Sequence, residues 1–381
     1  MSEENTKLGI FWGETSLCCV ETLASQAEKI FQIPFQSKTI SSMEGEINFL
    51  LEDVDSIQKT FQQNNIDSSN INLSLPTKDI IFRSFVIPWM QSNEVESVVK
   101  FESVKYIPFS LDDLVYTYHS LSVIEDGVRR IRVIFVAIKK KILEGYINAL
   151  NQINLSAITA EPAALSLIRV LVFKGVIPQD QTVALIEQEG DMGMIIVVVQ
   201  GIPQFVREFP LNPNLSDQKQ VGGDLIELQR KKFINEIRIS LDYFNRQNSQ
   251  LQIKKIILLD LASSEDAFKI LEEDFAVPVV AIDNQMIFGL QEGKESGFVS
   301  AYGAGVIGSV DFPVEFNFIQ GDISSSGSPK AFIEKSVNYK STIMMTGGIL
   351  ILLIGAFFLS NSLLIKDRKA IEVLRQELGA F

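Results

Sequence analysis

Apolar residues recur along this chain with two periods, and each change of period marks an element. Alternation and short apolar runs predict strands over 8–12, 16–23 and 28–35, with Gly13-Glu14-Thr15 between the first two. Helical spacing follows over 42–63, through Ile47, Leu50, Leu51, Val54, Ile57 and Phe61. Residues 71–75 and 80–87 read as strands on either side of Pro76. Ser92 is positioned to cap a helix over 93–106, and Pro108 marks its exit. A strand over 128–137 and a helix over 142–152 close the series.

The scheme then restarts. Strands over 182–187, 194–200 and 204–209 turn at Gly190 and Gly201. A long helix over 223–245 carries Leu225, Leu228, Phe233, Ile237 and Leu241 on one side. A buried strand over 253–259, a helix over 264–275 and a short strand over 277–282 follow. Two β-β-β-then-α units predict a duplicated α/β architecture.

Near the C-terminus the periodicity stops. Residues 341–365 contain no charged side chain, and Lys340 and Lys366 bracket them. As a helix this run is about 37 Å long, enough to cross a hydrocarbon core of about 30 Å. It is therefore expected to be a single transmembrane helix. Gly348 and Gly355 share one face of it and would let another helix approach closely. Beyond it, Leu364, Ile371 and Leu378, with Leu374 and Phe381 between, form a short heptad stripe over a 366–381 tail. Without a basic, apolar leader at Met1, a folded N-terminal part of this size is expected to stay cytoplasmic. A Ser/Gly-rich linker over 322–330 precedes the membrane segment.

Charge and rare residues narrow the chemistry. The 381 residues carry 34 Lys and Arg against 47 Asp and Glu, a net charge of −13. That balance disfavours nucleic-acid backbone as a partner. Lys139-Lys140-Lys141 and Arg230-Lys231-Lys232 read as solvated helix faces. The single histidine, His119, rules out a two-histidine metal site and sits in an alternating, strand-like stretch. Cys18 and Cys19 are neighbours whose side chains would point to opposite faces of a strand, so they are expected to be reduced thiols. No metal site is expected.

Several stretches resemble the actin-like PilM family of type IV pilus assembly. Leu75-Pro76-Thr77-Lys78-Asp79 is similar to that family's segment after a strand. The block from Phe101 to Asp113 resembles its E-x-x-x-Y-I-P-F-x-L motif, and Glu236 to Phe244 its E-I-x-x-S-L-D-F/Y helix. Asn317-Phe318-Ile319-Gln320-Gly321 resembles the N-L-x-Q-G segment that precedes the membrane span in GspL, the type II secretion relative, and a comparable peptide of PilN that docks on PilM. The resemblance implies a duplicated actin-like (ribonuclease H-like) ATPase fold over 1–310, in two lobes of roughly 1–175 and 176–310. A juxtamembrane docking segment and linker over 311–340 would follow, then the transmembrane helix and the tail. It also implies that Asn317 to Gly321 sit on a groove of the chain's own actin-like domain, with Phe318 and Ile319 as apolar anchors. GspL proteins carry a folded periplasmic domain; the sequence stops at Phe381, so by this resemblance that domain is expected to be absent, truncated or supplied by a partner.

The same resemblance locates the nucleotide loops, and here they depart from the family. In the first loop Phe11 takes the carboxylate position and Cys18 the lysine position; Gly13 is kept, beside Glu14. In the second, Glu187 keeps an acid but Glu189 replaces a glycine. In the adenosine loop Asp260 and Leu261 replace both glycines. Glu14, Glu187, Glu189 and Asp191 would crowd the phosphates, and each like-charge contact at ~4 Å costs on the order of 4 kcal/mol at an effective dielectric near 20. No basic residue is expected there to hold a triphosphate. The reading is a pseudo-ATPase without ATP or Mg²⁺, not an enzyme. It would be a non-catalytic inner-membrane platform or scaffold subunit of a pilus or type II secretion-like machine. The implied partners are an assembly or secretion ATPase, PilN/PilO- or GspM-like membrane subunits, a platform protein, and a second copy of itself. The alternatives are an ATP-binding actin-like assembly protein with atypical loops, and a filament-forming member of the actin superfamily.

Overall fold

The computed structural model describes residues 6–35, 51–66, 70–189, 192–211, 223–259, 265–282, 284–288 and 297–319. The first apolar runs form an antiparallel ladder of β1 (Lys7–Trp12), β2 (Ser16–Leu23) and β3 (Gln26–Pro34). Helix α1 (Leu51–Gln63) leads to β4 (Asn70–Leu75), which pairs parallel with β1. An excursion follows: β5 (Ile80–Pro88), α2 (Ser92–Ser103), β6 (Leu114–Glu125) and β7 (Val128–Lys139) make a separate antiparallel sheet in the order β5-β7-β6. Helix α3 (Lys140–Gln152) returns the chain to β8 (Ser156–Pro162), which pairs parallel with β4. The first main sheet thus has the order β3-β2-β1-β4-β8.

After α4 (Ala163–Phe173) the pattern repeats. Strands β9 (Thr182–Glu189), β10 (Met192–Val199) and β11 (Ile202–Pro210) form the second ladder, and α5 (Gly223–Gln247) follows. Strand β12 (Lys255–Leu259), α6 (Glu265–Phe275) and β13 (Val279–Ile282) complete a sheet in the order β11-β10-β9-β12-β13. Both main sheets are antiparallel over their first three strands and parallel over the rest, which is the duplication that the periodicity predicts. The β10–β11 turn uses Gln200 at φ 53° and Gly201 at φ 75°, the left-handed pair that a two-residue hairpin requires.

Helices α7 (Asn284–Phe288) and α8 (Gly297–Gly305) are the last regular elements among the described residues. Helix α8 lies against β1, β2 and β4 of the first sheet, and against α4. Its approach demands glycine on both sides. A Cβ on Gly9 would stand 2.0 Å from the Ala301 carbonyl oxygen, and one on Gly303 would stand 1.9 Å from that of Ser166. Among the described residues four apolar clusters hold the fold, and one joins the two main sheets: Phe11, Cys18 and Val20 pack with α4, α8, Met194, Ile257 and Leu259.

Some sequence expectations change. The residue capping α2 is Gln91, with no side-chain hydrogen bond, and Ser92 is already its first helical residue. Strand β8 and helices α4, α7 and α8 carry no period legible in the sequence, and β6 is longer than its alternating centre. Among the described residues no helix is long and apolar enough to cross a membrane. The expected transmembrane helix over 341–365, with Gly348 and Gly355, the linker and the tail lie outside the described residues.

Candidate functional site

The hairpin β1–β2 and the strands β9–β10 face each other around a small cleft. Phe11 and Cys18 are register partners across the first hairpin, and both are buried. They lie over the start of α8: a Cβ on Gly297 would meet the Phe11 ring at 2.6 Å and the Cys18 Sγ at 2.9 Å. Cys18 belongs to the cluster between the sheets and Cys19 to the cluster on the opposite face, so the neighbouring thiols point apart and are not bonded to each other. Burial pushes the Cys19 thiol far up.

The turn beyond them is closed by the Gly13 N–H donating to the Ser16 carbonyl at 2.9 Å. Glu14 extends from it and is ion-paired with Lys78, Nζ to Oε1 at 2.8 Å. A basic residue therefore adjoins Thr77, a lining residue of the cleft, and is engaged by an acid of the first loop. The pairing joins residues far apart in the chain, which is why no local motif announced it. Lys78 sits in a short turn after β4 that is anchored on both sides. The Tyr146 hydroxyl donates to Asp79 at 2.5 Å, and the Thr77 hydroxyl donates to the Met194 thioether at 3.2 Å. Burial first, then the Asp79 carboxylate, holds the Tyr146 phenol well above its usual range.

On the facing sheet, Glu187 of β9 is buried, and Met194 of β10 separates it from Glu208 of β11. Glu189 ends β9. Asp260 and Leu261 lie outside the described residues, directly after buried Leu259. Phe11, Thr77, Glu187, Met194, Gly297 and Ser300 line a cavity of about 30 Å³ between the two hairpins. That holds a water or two, whereas small-molecule sites typically need ~300 Å³ or more. Among the described residues no group of His, Cys, Asp and Glu is arranged to hold a metal.

A second site lies at the outer edge of β8. There the Phe318 N–H donates to the Ala160 carbonyl at 2.9 Å. The Asn317 Oδ1 accepts from the Ala160 N–H and from the Ile319 N–H, each at 3.0 Å. Val314, Phe316 and Phe318 are buried in the cluster under the first sheet, and Ile319 packs against it. Gln320 and Gly321 lie outside the described residues.

One residue further along β8 begins a network that the sequence did not announce. Glu161 receives a bidentate ion pair from Arg169 of α4 and a hydrogen bond from Ser166. Arg169 also donates to the Gly303 carbonyl of α8 at 3.0 Å and lies over the Phe312 ring. Its partners are spread over three elements, so only the tertiary fold assembles it.

The profile of the type IV pilus assembly protein PilM family matches residues 20–211. The chain belongs to this PilM family. Among solved structures, the PilM–PilN type IV pilus biogenesis complex is similar with a TM-score of 0.58 and 15% identity, over 81% of this chain and 100% of that one. The cytoplasmic domain of EpsL, an inner-membrane component of the type II secretion system of Vibrio cholerae, has a TM-score of 0.43 at 13% identity, over 83% and 99%. The archaeal actin homologue Ta0583 has a TM-score of 0.39 at 11% identity, over 80% and 99%. At these identities the likeness concerns the fold, and the likeness to the PilM–PilN structure shows that this PilM-family chain shares its α/β fold. No curated protein matches the sequence significantly.

Proposed function

We propose that this PilM-family chain is a non-catalytic platform subunit of a type IV pilus or type II secretion-like machine. It would sit on the cytoplasmic side of the inner membrane and link an assembly ATPase to PilN-like membrane subunits. The observation that carries the reading is the Phe11–Cys18 pair. At the positions where the family resemblance puts a Mg²⁺-organising carboxylate and a lysine, an apolar ring and a thiol fill the space against Gly297. The residues present do not suit a magnesium triphosphate: a buried ring offers no ligand, and desolvated Glu187 repels phosphate. The ATP-binding alternative is favoured by Lys78, but Glu14 already neutralises that cation.

The docking half of the proposal rests on Asn317 and Phe318. The segment that resembles a PilN-type peptide is seated on β8 of the same chain, so the coupling between membrane segment and cytoplasmic domain is made in cis. Titration of the purified chain with Mg·ATP is the test. Absence of binding up to millimolar nucleotide is expected, and micromolar, Mg²⁺-dependent affinity overturns the reading.

A further inference from the structure

Unpaired strand edges attract other strands, and folded proteins blunt them with charge, proline, bulges, shortness or cover. In this chain the edges of the two main sheets are blunted in these ways. Strand β3 carries Glu28, Lys29 and Pro34. Strand β11 carries Pro203, Arg207, Glu208 and Pro210. Strand β13 is only 4 residues long, and β8 has a bulge and the seated 317–319 segment. In the third sheet, β5 carries Arg83 and lies against β11.

The outer edge of β6 is the exception. The strand is 12 residues long, and from Leu114 to Ile124 it has no charged side chain, no proline and no glycine. It runs against β7 without a register shift over its whole length. Among the described residues no strand pairs with its other side. At its end Ile124, a large aliphatic side chain, is 71% exposed.

We propose that this edge pairs antiparallel with the same edge of a second copy of the chain, making one continuous six-stranded sheet around a two-fold axis at Ser120. A self-pairing is chosen because the strand is self-complementary about that residue. Tyr116 then opposes Ile124 of the second copy, Tyr118 opposes Ser122, and Thr117 opposes Val123. Tyr116 on Ile124 is the aromatic-on-β-branched pairing that stabilises antiparallel sheets, and it covers the exposed Ile124. No charged side chain between Leu114 and Ile124 meets its like, so a chain of net charge −13 pairs there without local repulsion. A two-fold perpendicular to the sheet sets both α2 helices on the same face, over Leu114, Tyr116 and Tyr118. The proposal does not depend on the reading of the nucleotide cleft.

The test uses the full chain in detergent, with two single-cysteine positions and one charge. The native thiols Cys18 and Cys19 are buried and stay out of the reaction. Across an antiparallel pair, opposed Cα atoms lie ~4.5–5.5 Å apart, within disulfide reach. Ser120→Cys should therefore give a disulfide-linked dimer on mild oxidation. The two copies of Ser122→Cys would stand about 14 Å apart, and that variant should not cross-link. Ile124→Lys, at an exposed position, should leave the folded monomer intact and abolish a sedimenting mass of twice the monomer. A monomeric parent, a Ser120→Cys chain that stays unlinked, equal linking at both positions, or a dimer that survives Ile124→Lys overturns the proposal.

Discussion

His119 illustrates how far a single side chain can be read. Its position in a strand was visible in the alternation around it, and β6 does bury it. Burial lowers its pKa from 6.5 to about 4. The unfolded chain therefore binds a proton near pH 6.5 that the folded chain refuses until near 4. Stability from this group is fully present above pH 6.5 and declines as the pH falls toward 4. At 1.36 kcal/mol per unit the loss is roughly 3 kcal/mol. Replacing it, as His119→Gln, should flatten that part of the acid limb of a urea-unfolding series, while the carboxylate contribution common to both proteins remains. Identical pH dependence in both would show that the imidazole is solvated. Arg169 is the opposite case: an arginine in an apolar stretch gives no sign that it is buried, and only the approach of Glu161 and the Gly303 carbonyl makes that burial tolerable.

At the scale of elements, strands with clear alternation or apolar runs were legible and helices buried all round were not. Helix α4 is buried at every position from Ala163 to Val172, so it has no polar face to set a period. Helix α8 has three glycines in 9 residues and poor intrinsic propensity; it forms because those glycines let it touch β1, β2 and α4. The segment 314–319 is a different lesson. It has no regular structure of its own, yet Asn317 supplies the acceptor that the β8 edge lacks. Phe318→Ala should cost ~3–5 kcal/mol by leaving a cavity in the core. Asn317→Ala should cost ~1–3 kcal/mol by orphaning the buried Ala160 N–H. Both are read from urea midpoints of the purified chain. Midpoints equal to the parent's would mean that the segment rests on the domain without contributing to it.

For the whole molecule, the decisive feature is the cluster that spans both main sheets. Phe11, Cys18 and Met194 join the two main sheets through apolar contact. Unfolding is therefore expected as one cooperative transition of the described body, with coincident midpoints by fluorescence and far-UV dichroism. Phe11→Ala should lower that midpoint by the equivalent of ~3–5 kcal/mol. If Phe11→Ala leaves the midpoint where it was, the ring is not part of the joint.

What the sequence determined alone was periodic or compositional: the repeated β-β-β-then-α order, the strand ladders, the lone histidine, and the two thiols with their opposed faces. These survive because they depend on neighbours a few residues away. What the tertiary structure decided was every relation between distant residues: Lys78 beside Glu14, Phe11 over Gly297, Arg169 on Glu161, and Asn317 on Ala160. Such contacts form only when elements built from separate stretches of chain are brought together. Their chemistry resides in pairs, and a linear pattern records only one member at a time.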